Sequence, residues 1–186
     1  MFRSDSHVAG FHMSLLSTAF ARIAAVSAFL VAAAVLPVRA ELAAPVGEVV
    51  LTVDGAITET NADGKATFDM AMLQAMPPAE FSTTTTWTEG TKAFKGVPLK
   101  TLLDSIGAKG TKVIATALNN YSVEIPMDVI KDGVPIMAYT IDGAEFSRRD
   151  KGPLWIVFPY DSSAEYQTES VYGWSIWQLA ALTVVE

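Results

Sequence analysis

The 186-residue chain contains no cysteine. That removes disulfides, thiolate nucleophiles and thiolate metal ligands at once, so a folded domain here must rely on its core alone. Histidine is almost as scarce. Both copies, His7 and His12, fall in the first 40 residues. Everything after them is without imidazole, which excludes a histidine general base, a Ser-His-Asp triad and imidazole ligation of zinc, copper or haem. Positive charge is also short, with 13 Lys and Arg against 20 Asp and Glu. The apolar run at residues 23–36, IAAVSAFLVAAAVL, has 14 residues. A helix needs about 20 to cross a bilayer core.

That run instead has the length and setting of a secretory signal. Arg22 precedes it, Pro37 breaks it, and Val38-Arg39-Ala40 puts small residues at the −3 and −1 positions. We therefore expect a signal peptide over residues 1–40, with cleavage after Ala40 and export to the periplasm. The start is Met1 or Met13, and an uncleaved membrane anchor is the other reading. The expected mature chain, 41–186, has 146 residues, an ordinary size for one domain. The leader holds Arg3, Arg22 and Arg39 against Asp5, so the remainder carries 10 basic and 19 acidic residues, a net charge of −9. So acidic a domain is poorly suited to nucleic acid or to an anionic lipid surface.

Short strands dominate the pattern. VVLTV at 49–53, 112–118, 121–125, 135–141, 154–158 and 182–185 read as strands, and 80–87 is β-prone through four consecutive threonines, Thr83 to Thr86. Asp69 reads as the N-cap of a short helix over 70–76 that Pro77-Pro78 ends. A second helix is expected over 99–106, stopped by Gly107. A helical turn is expected at 127–131 and a short helix or turn at 175–181. The class this predicts is α+β, mostly β, in a single domain.

Four segments then carry a family resemblance. Phe94-Lys95-Gly96-Val97-Pro98-Leu99-Lys100-Thr101-Leu102-Leu103 resembles the W-x-G-v-x-L-x-x-L-L element of the sulfite-oxidase fold, the molybdopterin-binding oxidoreductase domain. Met137-Ala138-Tyr139-Thr140-Ile141-Asp142-Gly143-Ala144-Glu145-Phe146 resembles its strand-and-hairpin element. Residues 149–159, RDKGPLWIVFP, resemble R-D-H-G-x-P-L-R-l-v-v-P. Ser175-Ile176-Trp177-Gln178-Leu179 resembles its closing S-x-K-W-L motif. The order is right, and the likeness spans residues 49–186. In that family a cysteine just before the first element binds molybdenum. The equivalent stretch here, 81–87, holds threonines, and the family's R-D-H-G histidine is Lys151. A threonine hydroxyl is a poor substitute for a soft thiolate.

Export, small size and the missing cysteine make the chain resemble the periplasmic pterin-binding regulators (PruR-type). The resemblance implies a free, reduced pterin as ligand, no molybdenum and no catalysis. It also implies a partner: the periplasmic domain of a membrane-bound sensor with cyclic-di-GMP synthase and phosphodiesterase (GGDEF/EAL-type) modules, which sets a biofilm decision. The alternatives are a molybdopterin-dependent oxidoreductase or an accessory subunit of one, and an interaction module without a ligand.

A pterin is a flat bicycle with a hydrogen-bonding edge. It calls for an aromatic face, a carboxylate to accept from the 2-amino and N3 groups, and an amide, hydroxyl or backbone group for the 4-oxo and N5 positions. The family fold implies that four segments converge to supply these. They contribute Thr85, Thr86 and Trp87; Asn119, Asn120 and Tyr121; Arg148 and Lys151; and Tyr160, Asp161, Glu169, Tyr172 and Trp174. Asp150, Asp161, Glu165 and Glu169 are the edge carboxylates to choose among. The stretch 161–169 reads as a polar loop, the candidate moving element. Trp155 and Trp177 are expected in the core, Trp87 and Trp174 at the ligand.

Overall fold

A computed structural model describes residues 42–186. The signal-peptide reading of residues 1–40, with Glu41 as the new N-terminus, lies outside the described residues. In chain order, β1 (Val49–Gly55) and β2 (Ala66–Asp69) lead into α1 (Met70–Ala75). β3 (Ala79–Thr83) and β4 (Lys92–Pro98) form a hairpin with a long loop, and α2 (Leu99–Ser105) follows at once. β5 (Lys112–Ala117) and β6 (Ser122–Pro126) make a second hairpin. Then come β7 (Ile136–Ile141), β8 (Ala144–Glu145), β9 (Trp155–Val157), α3 (Glu169–Trp174) and β10 (Leu179–Val185). Among the described residues no helix is long and apolar enough to cross a membrane.

The strands form two sheets. The first has the order β2-β1-β10-β5-β6, the second β3-β4-β7-β8, with β9 also paired to β7. β1 and β10 run parallel, and every other pairing is antiparallel. Period-two burial explains the first sheet: Leu51 and Val53 of β1, Val113 and Ala115 of β5, and Leu182 and Val184 of β10 turn inward. β9 differs, since Trp155, Ile156 and Val157 are all buried, as the uninterrupted apolar run predicts. α2 adds Leu99, Leu102 and Leu103 at helical spacing. The α+β, mostly β class is the one the sequence predicts.

Particular residues fix the junctions. Asp69 caps α1: its Oδ1 accepts from the Met72 N–H at 2.8 Å. Its Oδ2 accepts from the Gly47 N–H at 2.7 Å and the Val46 N–H at 2.9 Å, which pins the incoming chain to the helix start. These bonds, Gly47's first, hold its carboxyl below the usual carboxylate range. Gly107 closes α2 at a φ of +61°. Asp142 and Gly143 turn β7 into β8, both in the left-handed region.

Three expectations are corrected. The threonine strand stops at Thr83, because Thr84 gives its N–H and hydroxyl to Asp161 and not to the ladder. Residues 84–91 become a loop. No helix forms over 175–181. The helix sits earlier, at Glu169–Trp174, where the Thr168 hydroxyl accepts from the Val171 N–H as an N-cap. The stretch 161–169 is no open loop either. It folds into two 3₁₀ turns, Tyr160–Ser162 and Ala164–Tyr166, stapled by the Gln167 side chain donating to the Tyr160 carbonyl.

Gly96, the glycine of the first family-like element, sits at a register shift between β4 and β7. A Cβ there would collide with the Met137 carbonyl and the Ala138 backbone. Gly96→Ala is expected to destabilise the domain by about 1–3 kcal/mol, read as a lowered urea midpoint with an unchanged m-value. An unchanged midpoint would show that the two strands do not approach so closely.

Candidate functional site

The site grows from the second sheet's buried rings. Trp155 on β9 is fully buried, meets Phe94 of β4 edge-on at 5.4 Å, and donates its indole N–H to the Ser175 carbonyl at 3.2 Å. Tyr160, 2% exposed, donates its hydroxyl to Ser175 Oγ at 2.6 Å, and Ser175 Oγ donates onward to the Val171 carbonyl at 2.8 Å. Burial pushes the Tyr160 phenol up to about 12, with the Ser175 bond offsetting part of that. Tyr172 of α3 stacks on Tyr160, with centroids 5.2 Å apart and planes 29° from parallel.

Trp87, on the loop after β3, lies over this base. It makes edge contacts with Trp155 (5.8 Å), Tyr160 (6.3 Å), Tyr172 (6.0 Å) and Trp177 (5.8 Å). Beside it opens a cleft of about 370 Å³. Its aromatic walls are Trp87, Tyr121, Tyr172 and Trp177; Asn119, Ser175 and Gln178 bring polar groups; Ala117, Gly173 and Ile176 complete it. That volume lies within the range of small-molecule sites. No charged side chain lines it.

The structure thus brings together Trp87, Asn119, Tyr121 and Tyr172 from the residues singled out in the sequence. Others stand behind them. Tyr160 supports the cleft from beneath. Thr85 shapes the Trp87 loop: its hydroxyl accepts from the Trp87 N–H at 3.0 Å and shares a 2.8 Å bond with Thr88. Thr86 is exposed in that loop. Asn120 holds the β5–β6 turn at a φ of +65°, a conformation asparagine tolerates. Asp161 is engaged with Thr84 at 2.6 and 2.7 Å, which holds its carboxyl below the usual range. Arg148 pairs with Glu48 at 3.0 Å, and Lys151 pairs with Asp150 at 3.0 Å while its ammonium lies 5.7 Å from the Trp155 ring centroid. Glu169 is exposed in the first turn of α3. Trp174 packs against Phe158 at 6.4 Å, and the cleft lining does not include it. None of the four carboxylates considered for a ligand edge lines the cleft; the polar side chains there are amides and hydroxyls.

Trp177 corrects the expectation of a core tryptophan. Residues 175–178 are irregular rather than helical, and within them Ile176 is buried while Trp177 is 39% exposed at the cleft. Gln178 follows at a φ of +54°, uncommon for glutamine. Its amide donates to the Arg148 carbonyl at 2.7 Å, anchoring the turn into β10. The polar-aromatic run Ser-Ile-Trp-Gln was the signal for this wall, and helix-like spacing masked it.

Together these features define a two-sheet, β-rich domain with an uncharged aromatic cleft between the β3–β4 loop, the β5–β6 turn and α3. Over residues 50–165 the chain matches the family described as "Oxidoreductase molybdopterin binding domain", and it belongs to that family. Among solved structures it is similar to the sulfane dehydrogenase SoxCD from Paracoccus pantotrophus, with a TM-score of 0.56 and 18% identity. That match covers 73% of this chain and 37% of the other, so this chain corresponds to little more than a third of the dehydrogenase chain. No curated protein matches it.

The donor set fits one part of a molybdopterin and not the rest. Thr83 ends β3 in the stretch where the family resemblance calls for the metal-binding cysteine. Its hydroxyl is fully buried and already committed, donating to the Thr84 carbonyl and accepting from the Asp161 N–H. Among the described residues no group of three or more His, Cys, Asp or Glu is placed to hold a metal ion. No Lys or Arg lines the cleft to meet a phosphate. A flat uncharged ring fits these walls; a thiolate-anchored metal and a phosphate tail do not.

Tyr160 gives the site a signature in base. Its folded pKa is raised above the ordinary tyrosine value near 10, so its contribution is fully present below pH ~10 and is lost as pH climbs towards ~12. Urea unfolding across that window is expected to show stability falling by roughly 2–3 kcal/mol more in the parent than in Tyr160→Phe. Parallel slopes for the two proteins would mean the phenol is not shielded.

Proposed function

We propose that this domain is a binding protein for a free pterin, and that it acts through a partner and not by catalysis. The carrying observation is the cleft itself: four aromatic rings, amides and hydroxyls for a heterocycle's edge, and no charged side chain in the lining. Stacking on such rings contributes about 0.5–1.5 kcal/mol beyond burial. The Asn119 amide NH2 and the Gln178 side-chain oxygen offer a donor and an acceptor for a pterin's polar edge, while Ser175 is committed within the core. The absence of cysteine and of histidine after residue 12 supports a ligand without a redox metal. The export reading places this binding in the periplasm. The partner proposed there is the periplasmic domain of a membrane-bound cyclic-di-GMP synthase/phosphodiesterase sensor. A pterin would act on it by favouring one arrangement of the cleft's rim, with a coupling of about 1–3 kcal/mol at most. Family membership favours the second reading, a molybdopterin-dependent oxidoreductase or its accessory subunit.

Titration of tryptophan fluorescence with 6-hydroxymethylpterin, oxidised and tetrahydro, tests the proposal. Saturable quenching is expected. The phosphate ester should bind about tenfold more weakly, because nothing in the lining pairs with its charge. Trp177→Ala should lose most of the affinity while Trp174→Phe keeps it. Absence of binding, or tighter binding of the ester, would sink the reading.

A further inference from the structure

Asp161 stands outside the cleft, yet the cleft's central ring depends on it. The loop 84–91 carries Trp87 between β3 and β4 without a strand ladder of its own. Inside the loop, Thr85 holds the Trp87 N–H and the Thr88 hydroxyl. Besides the adjacent Thr83 hydroxyl's bond to the Thr84 carbonyl, two side-chain hydrogen bonds tie the loop to a distant residue, Asp161: the Thr84 N–H to Oδ2 at 2.6 Å and the Thr84 hydroxyl to Oδ1 at 2.7 Å. The Asp161 N–H returns a bond to Thr83 Oγ1 at 3.1 Å, at the last residue of β3. Three bonds therefore join two points 77 and 78 residues apart in the chain. The neighbouring residue on one side of the joint is Tyr160, whose ring meets Trp87 at 6.3 Å. Two of the bonds are to a carboxylate, which makes them shorter and stronger than neutral ones.

We propose that Asp161 and Thr84 form a clasp that positions Trp87, so that Asp161 governs ligand affinity without touching the ligand. Trp87 meets its four aromatic neighbours edge-on in every case. Ring contacts of this kind have broad minima and do not by themselves fix one pose. The clasp supplies the direction. It stops the strand at Thr83, starts the loop at a fixed point, and sets the ring's approach to the Tyr160–Tyr172 stack. Asp161 is thus a positioning residue, and the threonine run has a mechanical part to play. Thr83 and Thr84 bind Asp161 and Thr85 binds Trp87, while Thr86 is exposed.

The consequence for ligand affinity rests on the pterin reading, so the experiment reads the loop first without ligand. Asp161→Ala, Thr84→Val and the double variant are compared by amide hydrogen exchange over 84–91 and by the ¹⁹F resonance of fluorotryptophan at position 87. Each single variant is expected to lose loop protection and to broaden or shift that resonance. The double variant should do little more than either single one, since both changes break the same joint. Asp161→Asn, which keeps one oxygen acceptor for Thr84, should restore part of the protection. Affinity for 6-hydroxymethylpterin should fall about tenfold in each single variant, and again no further in the double. Loop protection and the ¹⁹F signal unchanged in Asp161→Ala would overturn the clasp. So would affinity losses that add in the double variant. If the parent protein binds no pterin, the binding proposal fails while exchange and ¹⁹F still decide the clasp.

Discussion

The contacts of Ser175 tie the core to the cleft. Its carbonyl takes the Trp155 indole N–H, its hydroxyl takes the Tyr160 phenol and gives to Val171, and its N–H gives to the Tyr172 carbonyl. One small residue, 3% exposed, thereby joins β9, the turn after it, α3 and the approach to β10. Each buried polar group in this set has its partner, and among the described residues no buried side-chain N or O lacks one. The aromatic wall can be assembled on such a base because the base does not shift: rings contribute burial and shape, while hydrogen bonds choose the geometry. Without the Ser175 hydroxyl, Tyr160 would be left with a buried phenol unsatisfied, and Tyr172 and Trp87 would lose the surface they rest on.

Much of this was legible in the sequence, for identifiable reasons. Strands with clean alternation or a full apolar run, such as β1 and β9, were readable because burial imposes its own period on composition. Asp69, Pro77-Pro78 and Gly107 marked α1 and α2 because caps and breakers act locally. The family elements also fell where the chain needs them: Gly96 stands where a side chain would strike Met137. What escaped was set by distant partners. The threonine stretch has strand propensity throughout, but Asp161, 77 residues away, withdraws Thr84 from the ladder. Trp177 sits in a run that spaces like a helix, yet the Thr168 cap starts the helix earlier and it ends at Trp174, before residues 175–178. A sequence window cannot weigh such competitors. Trp87, Asn119, Tyr121 and Tyr172 could be read as site residues because polar loops bearing aromatics stand out. Gln178 and Ser175 were overlooked because they lie between apolar neighbours.

The cleft's chemistry separates this chain from what its family name suggests. Family membership is secure over residues 50–165, while the solved dehydrogenase it resembles is a much longer chain at 18% identity, a likeness of fold. A fold can outlast its original chemistry when the site is rebuilt and the scaffold kept. Here the metal's position would fall in a run of threonines whose first member is buried and saturated, and whose second is clasped to Asp161. The walls beside it remain aromatic and neutral. On our account, the chain keeps a neutral aromatic cleft beside a threonine run that offers no thiolate and no phosphate-binding cation.

The most direct test is to isolate the protein from its native host, then measure bound metal and extract small molecules from the same sample for fluorescence chromatography. The account predicts a fluorescent pterin without phosphate and without molybdenum. Stoichiometric molybdenum would contradict it, and would mean that the threonine run hides a metal ligand of a kind its hydrogen bonding gives no reason to expect.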